Sequence, residues 1–259
     1  MTQLMGVVNV TPDSFSDGGL FLDPEVAIGH GLELAEAGAE ILDVGGESTR
    51  PGAEPVSVDE ELRRVVPVIQ GLQGSRVSVD TSKAAVAAAA LDAGAEIVND
   101  VTALRGDPEM ASLCAERGAT VVLMHMLGEP QTMQDDPRYD DVVAEVKAFL
   151  AERLEAAVAA GIKEDRVWVD PGIGFGKTGA HNMELLRRLG ELRELGRTLV
   201  VGTSRKSFIG EVDGSPADQR LGGTIASSVL AAAAGANVLR VHDVAAVRQA
   251  LTVATAILG

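Results

Sequence analysis

Eight apolar stretches of this chain each finish on or beside a polar residue that could bind or neutralise something. These residues are Asn9, Asp43, Asp80, Asn99, His125, Asp170, Lys206 and His242, and Arg240 stands two positions before the last. A buried aspartate facing N–H groups accepts strong, charge-assisted hydrogen bonds. Arg240 carries a planar fork that suits phosphate oxygens, and barrel enzymes often bind phosphate beside their seventh and eighth strands. No convincing Ser-His-Asp or Cys-His arrangement is present, and GFGKTG at 174–179 lacks the GxxxxGK[ST] spacing of a P-loop. The pattern favours a site that binds, orients and neutralises over one that attacks through a side-chain nucleophile.

The elements that must position these residues alternate. VNVTPDSFSDGG (8–19) is a strand running into a polar loop, broken by Pro12. PEVAIGHGLELAEAGAE then reads as a helix, with Asp23 as N-cap, Pro24 in the first turn, and Ala27, Ile28, Leu32, Leu34 and Ala35 as its buried face. EILDVGGESTR and RVSVDTSK read as strands two and three. The helix between them opens on Ser57 with Glu60 in capping-box spacing. EIVNDVTA, ATVVLMHM, RVWVDPGIGFGK, RTLVVGTSRKSF and ANVLRVHD supply strands four to eight, each followed by a helical pattern, which makes eight of each. Short apolar runs bounded by turn residues fit buried parallel strands. The expected fold is α/β, a single (β/α)8 barrel over residues 1–259 with its site at the C-terminal strand ends; a doubly wound open sheet is the alternative. A polar residue at one strand end is equally well a helix cap. Eight in phase are poorly explained that way.

Bulk properties narrow the partners. The 259 residues are 46% hydrophobic, enough for a sizeable core, and carry a formal charge of −16. That charge argues against nucleic acid or an anionic membrane as a partner, and an anionic substrate would need a local positive site. The one cysteine, Cys114, falls in a helical pattern as a small packed residue, which suits a reducing compartment. No apolar run is long enough to span a bilayer, so a cytoplasmic protein is expected.

Read together, NVTPDSFSDGG, ILDVGGESTRPGA, SVDTSK, IVNDVTA, DPGIGFGK, TSRKSF and RVHD resemble the dihydropteroate synthases. The motifs stand in that family's order and run from Asn9 to Asp243. The resemblance implies a TIM-barrel transferase of folate biosynthesis, usually dimeric, using Mg2+ and inhibited by sulfonamides. It would join (7,8-dihydropterin-6-yl)methyl diphosphate to 4-aminobenzoate, releasing 7,8-dihydropteroate and diphosphate. By the same resemblance, Asp43 is a substrate-binding residue and Asp80, Asn99, Asp170 and Lys206 hold the pterin. Thr49, Arg50, Arg240 and His242 neutralise the diphosphate, and Asn9 supplies one hard oxygen to Mg2+. Thr49 and Pro51 flank the aminobenzoate on one side, with Phe175, Lys206 and Ser207 on the other. The implied catalytic set is Arg50, Lys206, Arg240 and His242.

Other residues have plainer readings. His30 and His181 read as surface or capping groups, and Trp168, inside strand six, as core packing. His125 ends strand five and could face the site.

Overall fold

The computed structural model describes residues 2–11, 23–48 and 54–258. Eight parallel strands close into a barrel in sequence order: β1 (Gln3–Asn9), β2 (Ile41–Gly45), β3 (Val77–Asp80), β4 (Ile97–Asp100), β5 (Thr120–Met124), β6 (Val167–Asp170), β7 (Thr198–Val201) and β8 (Val238–Val241). Closure is direct, because β8 pairs with β1 in the register Met5 to Arg240. The open-sheet alternative is thereby excluded.

Period-two alternation divides each strand between two cores. Met5, Ile41, Ile97, Val122, Trp168, Val200 and Val238 point inward and form their own cluster on the barrel floor. The intervening residues, such as Leu4, Leu42, Val79, Val98, Leu123, Val169, Val201 and Leu239, belong to the outer core beneath the helices. Two residues above four of the seven floor residues the inward position turns polar. Ile41 is followed by Asp43, Ile97 by Asn99, Trp168 by Asp170 and Val238 by Arg240. One strand thus carries both core and site, on the same face.

The helices are α1 (Pro24–Glu36), α2 (Val58–Gly71), α3 (Ala84–Asp92), α4 (Met110–Arg117), α5 (Val142–Ala159), α6 (Gly179–Arg187), α7 (Ser207–Asp213), α8 (Leu221–Ala233) and α9 (Val244–Leu258). Nine among the described residues is one more than expected. The extra element, α7, has seven residues, too few for a helical period to register. Asp23 caps α1 by accepting from Glu25 N–H, with Pro24 beginning the helix. Leu32 turns outward, and Gly31 takes its place against Leu72. Ser57 accepts from Glu60 N–H, but the Glu60 carboxylate pairs with Arg63 and Arg64, so only half of the box forms. His181 completes a capping box with Thr178 on α6. Cys114 and Trp168 are buried in the core.

Candidate active site at the C-terminal mouth of the barrel

The mouth opens into a cleft of about 480 Å³, counting the space at its entrance. Asp80, Asn99, Asp170, Phe175, Lys206, Arg240 and His242 all line it. The barrel therefore brings together seven residues drawn from five different strands or the loops that follow them. The apolar part of the wall comes from Val101 and Met124, which cluster with Met126 and Met133 against Phe175.

Arg240 is the electrostatic centre. Its Nε donates to Asp43 Oδ2 at 2.6 Å and its Nη2 to Asp80 Oδ2 at 2.8 Å. Asp43 is fully buried beneath the cleft and also accepts from Asn99 Nδ2 at 3.1 Å. It reaches the cleft only through Arg240 and Asn99, and its Oδ1 has no hydrogen-bond partner among the described residues. One guanidinium thus serves two carboxylates. Burial pushes Asp80 up to about 7; Arg240 opposes the rise and Asp43 adds to it. Asp170 is also raised by burial, countered by Gly172 N–H, Lys206 and Arg240.

Asp170 ends β6 and accepts from Gly172 N–H at 2.7 Å. Gly172 has φ +65°, and a Cβ there would lie 1.9 Å from His125 O, so only glycine fits this turn. Phe175 then faces the cleft, with Lys206 Nζ 4.1 Å from its ring centroid. Lys206 follows Arg205, a non-glycine residue at φ +57°. Asp243 holds Arg205 in that turn through Nε at 3.0 Å and Nη2 at 2.6 Å, while Arg205 N–H donates to Thr224. Left-handed backbone at such a residue persists only when its surroundings enforce it. Ser207 opens α7 and is exposed.

His242 packs against Ser204, whose Oγ accepts from His242 N–H and lies 2.9 Å from Nδ1. The hydroxyl can meet Nδ1 as donor or as acceptor, according to which ring nitrogen carries the proton. Burial and the nearby Arg240 and Arg205 hold His242 down to about 3. At neutral pH it presents an N–H donor and no positive charge. Among the described residues, the cations that line the cleft are Arg240 and Lys206.

Asn9 ends β1 and is half-buried. A Cβ placed on Gly45 would lie 3.5 Å from Asp80 Cβ and 3.9 Å from Asn9 Oδ1, so the Asn9 and Asp80 side chains share one edge of the mouth. Thr49, Arg50 and Pro51 lie outside the described residues. The stem leading to them is fastened by Lys83, which bridges Glu47 at 2.7 Å and the buried Glu61 at 2.5 Å. His125 is buried against Phe149 and Lys177 and does not line the cleft. Ser204, Val101, Met124 and Ile173 do line it without having stood out in the sequence. Met124 was within reach of period-two counting, since it lies two residues above Val122 of the floor.

A closed α/β barrel whose C-terminal mouth gathers buried carboxylates, an amide and two cations defines a barrel enzyme for a polar, nitrogen-bearing substrate. The family model described as "Pterin binding enzyme" matches residues 5–242. A dihydropteroate synthase of Mycobacterium leprae is 50% identical, covering 97% of this chain and 92% of its own length. The Yersinia pestis dihydropteroate synthase, solved with a sulfonamide drug complex, superposes with a TM-score of 0.96 at 45% identity, covering 99% of this chain and 94% of that one. The Xanthomonas albilineans dihydropteroate synthase, solved with 4-aminobenzoic acid, gives 0.93 at 53% identity, covering 100% and 93%. The chain belongs to the pterin-binding enzymes and, among them, to the dihydropteroate synthases, transferases of folate synthesis.

Proposed function

We propose that the cleft catalyses the substitution that defines this family, with its residues in the following roles. The observation that carries the reading is the convergence of Asp80, Asn99, Asp170, Lys206 and Arg240 on one cleft. Asp80, Asn99 and Asp170 accept from the amino and ring N–H groups of the pterin. Lys206 donates to its carbonyl or ring nitrogen. The C–O bond between the methylene and the diphosphate breaks first, and its electron pair leaves with the diphosphate. The electron-rich dihydropterin carries the positive charge that develops on the carbon. The aromatic amine of 4-aminobenzoate is neutral at pH 7, adds through its lone pair and loses one proton to solvent or diphosphate. The protein needs no strong base and serves mainly to position and neutralise. Arg50, Thr49, Arg240 and the ring N–H of His242 receive the departing diphosphate. Phe175, Lys206 and Ser207 flank the aminobenzoate, with Thr49 and Pro51 opposite.

Among the described residues no group of three or more His, Cys, Asp or Glu side chains could hold a metal. The half-buried Asn9 oxygen at the mouth fits a Mg2+ that arrives with the diphosphate and keeps mainly water and phosphate ligands. When bound there, Mg2+ would neutralise the leaving group. We also assign a homodimer, supported by strongly exposed apolar side chains on successive helices: Val212 on α7, Leu230 on α8, and Val253 and Ile257 on α9. A cytoplasmic setting is supported by the single, buried thiol. Among the described residues no helix is long and apolar enough to cross a membrane. Sulfonamides should compete with 4-aminobenzoate.

The test is a stoichiometric product assay with both substrates and Mg2+. Dihydropteroate and diphosphate should appear in equal amounts, and a chelator should suppress both. Folded protein that binds the pterin diphosphate but forms no product would overturn the catalytic reading. Turnover unaffected by the chelator would remove Mg2+ from it.

A further inference from the structure

Lys177 is almost fully buried behind the cleft wall, and among the described residues no carboxylate bonds it. Its Nζ lies 2.8 Å from Phe175 O, 2.9 Å from His125 Nδ1 and 3.3 Å from His125 O. That gives three acceptors for three ammonium protons, and none of them is an anion. Burying an ammonium among neutral groups is costly. Burial lowers Lys177 to about 7, with Asp170 raising it and Lys206 lowering it further. His125 is held down to about 3 by burial, so its ring is neutral and Nδ1 can accept.

The three acceptors belong to two separate parts of the wall. His125 follows β5, and its own N–H donates to Asp170 O at 2.9 Å. Phe175 belongs to the loop after β6, and its N–H donates to Gly172 O. The floor of contact is tight, as the 1.9 Å clearance to a hypothetical Gly172 Cβ shows. The far side of the loop is tied by Tyr139 Oη to Gly176 O and by Gly174 N–H to Asn182.

We propose that Lys177 is a positioning residue for the reaction: its side chain clamps the end of β5 to the loop after β6, and so fixes Phe175 relative to Asp170 in the cleft. Asp170 faces the pterin side and Phe175 the aminobenzoate side, so the clamp sets the distance between the two reactants. This rests on the site reading given above. An apolar side chain would fill the same space without the charge penalty, but it would leave two carbonyls and an imidazole nitrogen unpaired and the loop unregistered.

The test compares the wild type with Lys177→Gln, His125→Phe and the double variant. Urea melts establish folding, and kcat and KM are measured with each substrate varied in turn. His125→Phe keeps an aromatic ring against Phe149 and removes the ring nitrogens, the Nδ1 acceptor among them. Misplacement on the ångström scale costs up to about a hundredfold in rate. Each single variant should therefore lose roughly tenfold to a hundredfold in kcat/KM while remaining folded, with kcat affected as well as KM. The double variant should be no worse than the poorer single, because both break one clamp. Wild-type turnover matched within about twofold by folded Lys177→Gln, or losses that multiply in the double variant, would overturn the clamp. Should Lys177→Gln fail to fold, folded His125→Phe decides alone: a tenfold loss supports the clamp and wild-type kinetics refute it. A wild type that forms no dihydropteroate would instead refute the site reading, a distinct outcome.

Discussion

Replacing Asp80 with asparagine should make the empty protein more stable and the enzyme worse. Asp80 shares Arg240 with Asp43, and its carboxyl is pushed by burial from 3.8 to about 7. Below about pH 4 the folded and unfolded chains both hold this proton. As pH rises toward 7 the unfolded chain gives it up while the folded chain keeps it. The folded state then binds more protons, so its stability falls by about 1.4 kcal/mol per pH unit. Above 7 both states are ionised and the penalty levels off, at roughly 4 kcal/mol as an upper bound. Asparagine has the same shape, keeps an oxygen for Arg240 Nη2 and cannot ionise. Asp43 remains to neutralise Arg240.

Urea unfolding at steps from about pH 5.5 to 8.5 should show Asp80→Asn gaining on the wild type until about pH 7. The advantage should then plateau at roughly 2–4 kcal/mol. Subtracting the two curves removes the other buried carboxylates, Asp100 and Asp170, which are also raised. Pterin binding should weaken by roughly tenfold or more, because a charge-assisted hydrogen bond becomes a neutral one. A variant no more stable than the wild type at pH 8, or a difference that is flat with pH, would refute the reasoning. It would mean that Arg240 already compensates Asp80 in full.

Arg240→Met acts in the opposite sense. It leaves Asp43 and Asp80 buried without their cation, and it should cost about 3–5 kcal/mol at neutral pH. Denaturant melts at pH 8 and at pH 5.5 should show that cost shrinking as Asp80 takes up its proton. Gly172→Ala forces a Cβ into His125 O at a left-handed backbone position. It should lower the melting temperature clearly and abolish turnover, and near-wild-type values would show that the β6 loop has slack. Arg50→Ala should lose turnover with little change in melting temperature, because its assigned role is toward diphosphate; a large drop in melting temperature would count against that role.

How much of this was legible beforehand follows from what each residue's role depends on. The barrel was legible because eight short apolar runs alternate with eight helical patterns. Asp80, Asn99 and Asp170 could be picked out because each stands at or beside the end of such a run. The pairings among them were not legible. Nothing local says that Arg240 of β8 bonds Asp43 of β2 and Asp80 of β3, partners 197 and 160 residues away. Those contacts exist only once the sheet has closed on itself, and closure is the property that periodicity cannot carry. His242 shows the consequence. Adjacent in sequence to an arginine motif, it reads as a second cation for the diphosphate. The folded barrel instead half-buries it beside Arg240 and Arg205, where desolvation and the two cations drive it neutral, with Ser204 Oγ against its Nδ1. Lys177 is the converse case. In sequence it is a lysine at the end of a glycine-rich turn, suited to solvent. Only the packing of His125 and Phe175 against its Nζ gives it work to do. Residue type and phase thus indicate which atoms reach the mouth. The charge each atom carries there is decided by neighbours that the sheet, once closed, brings from the far end of the chain.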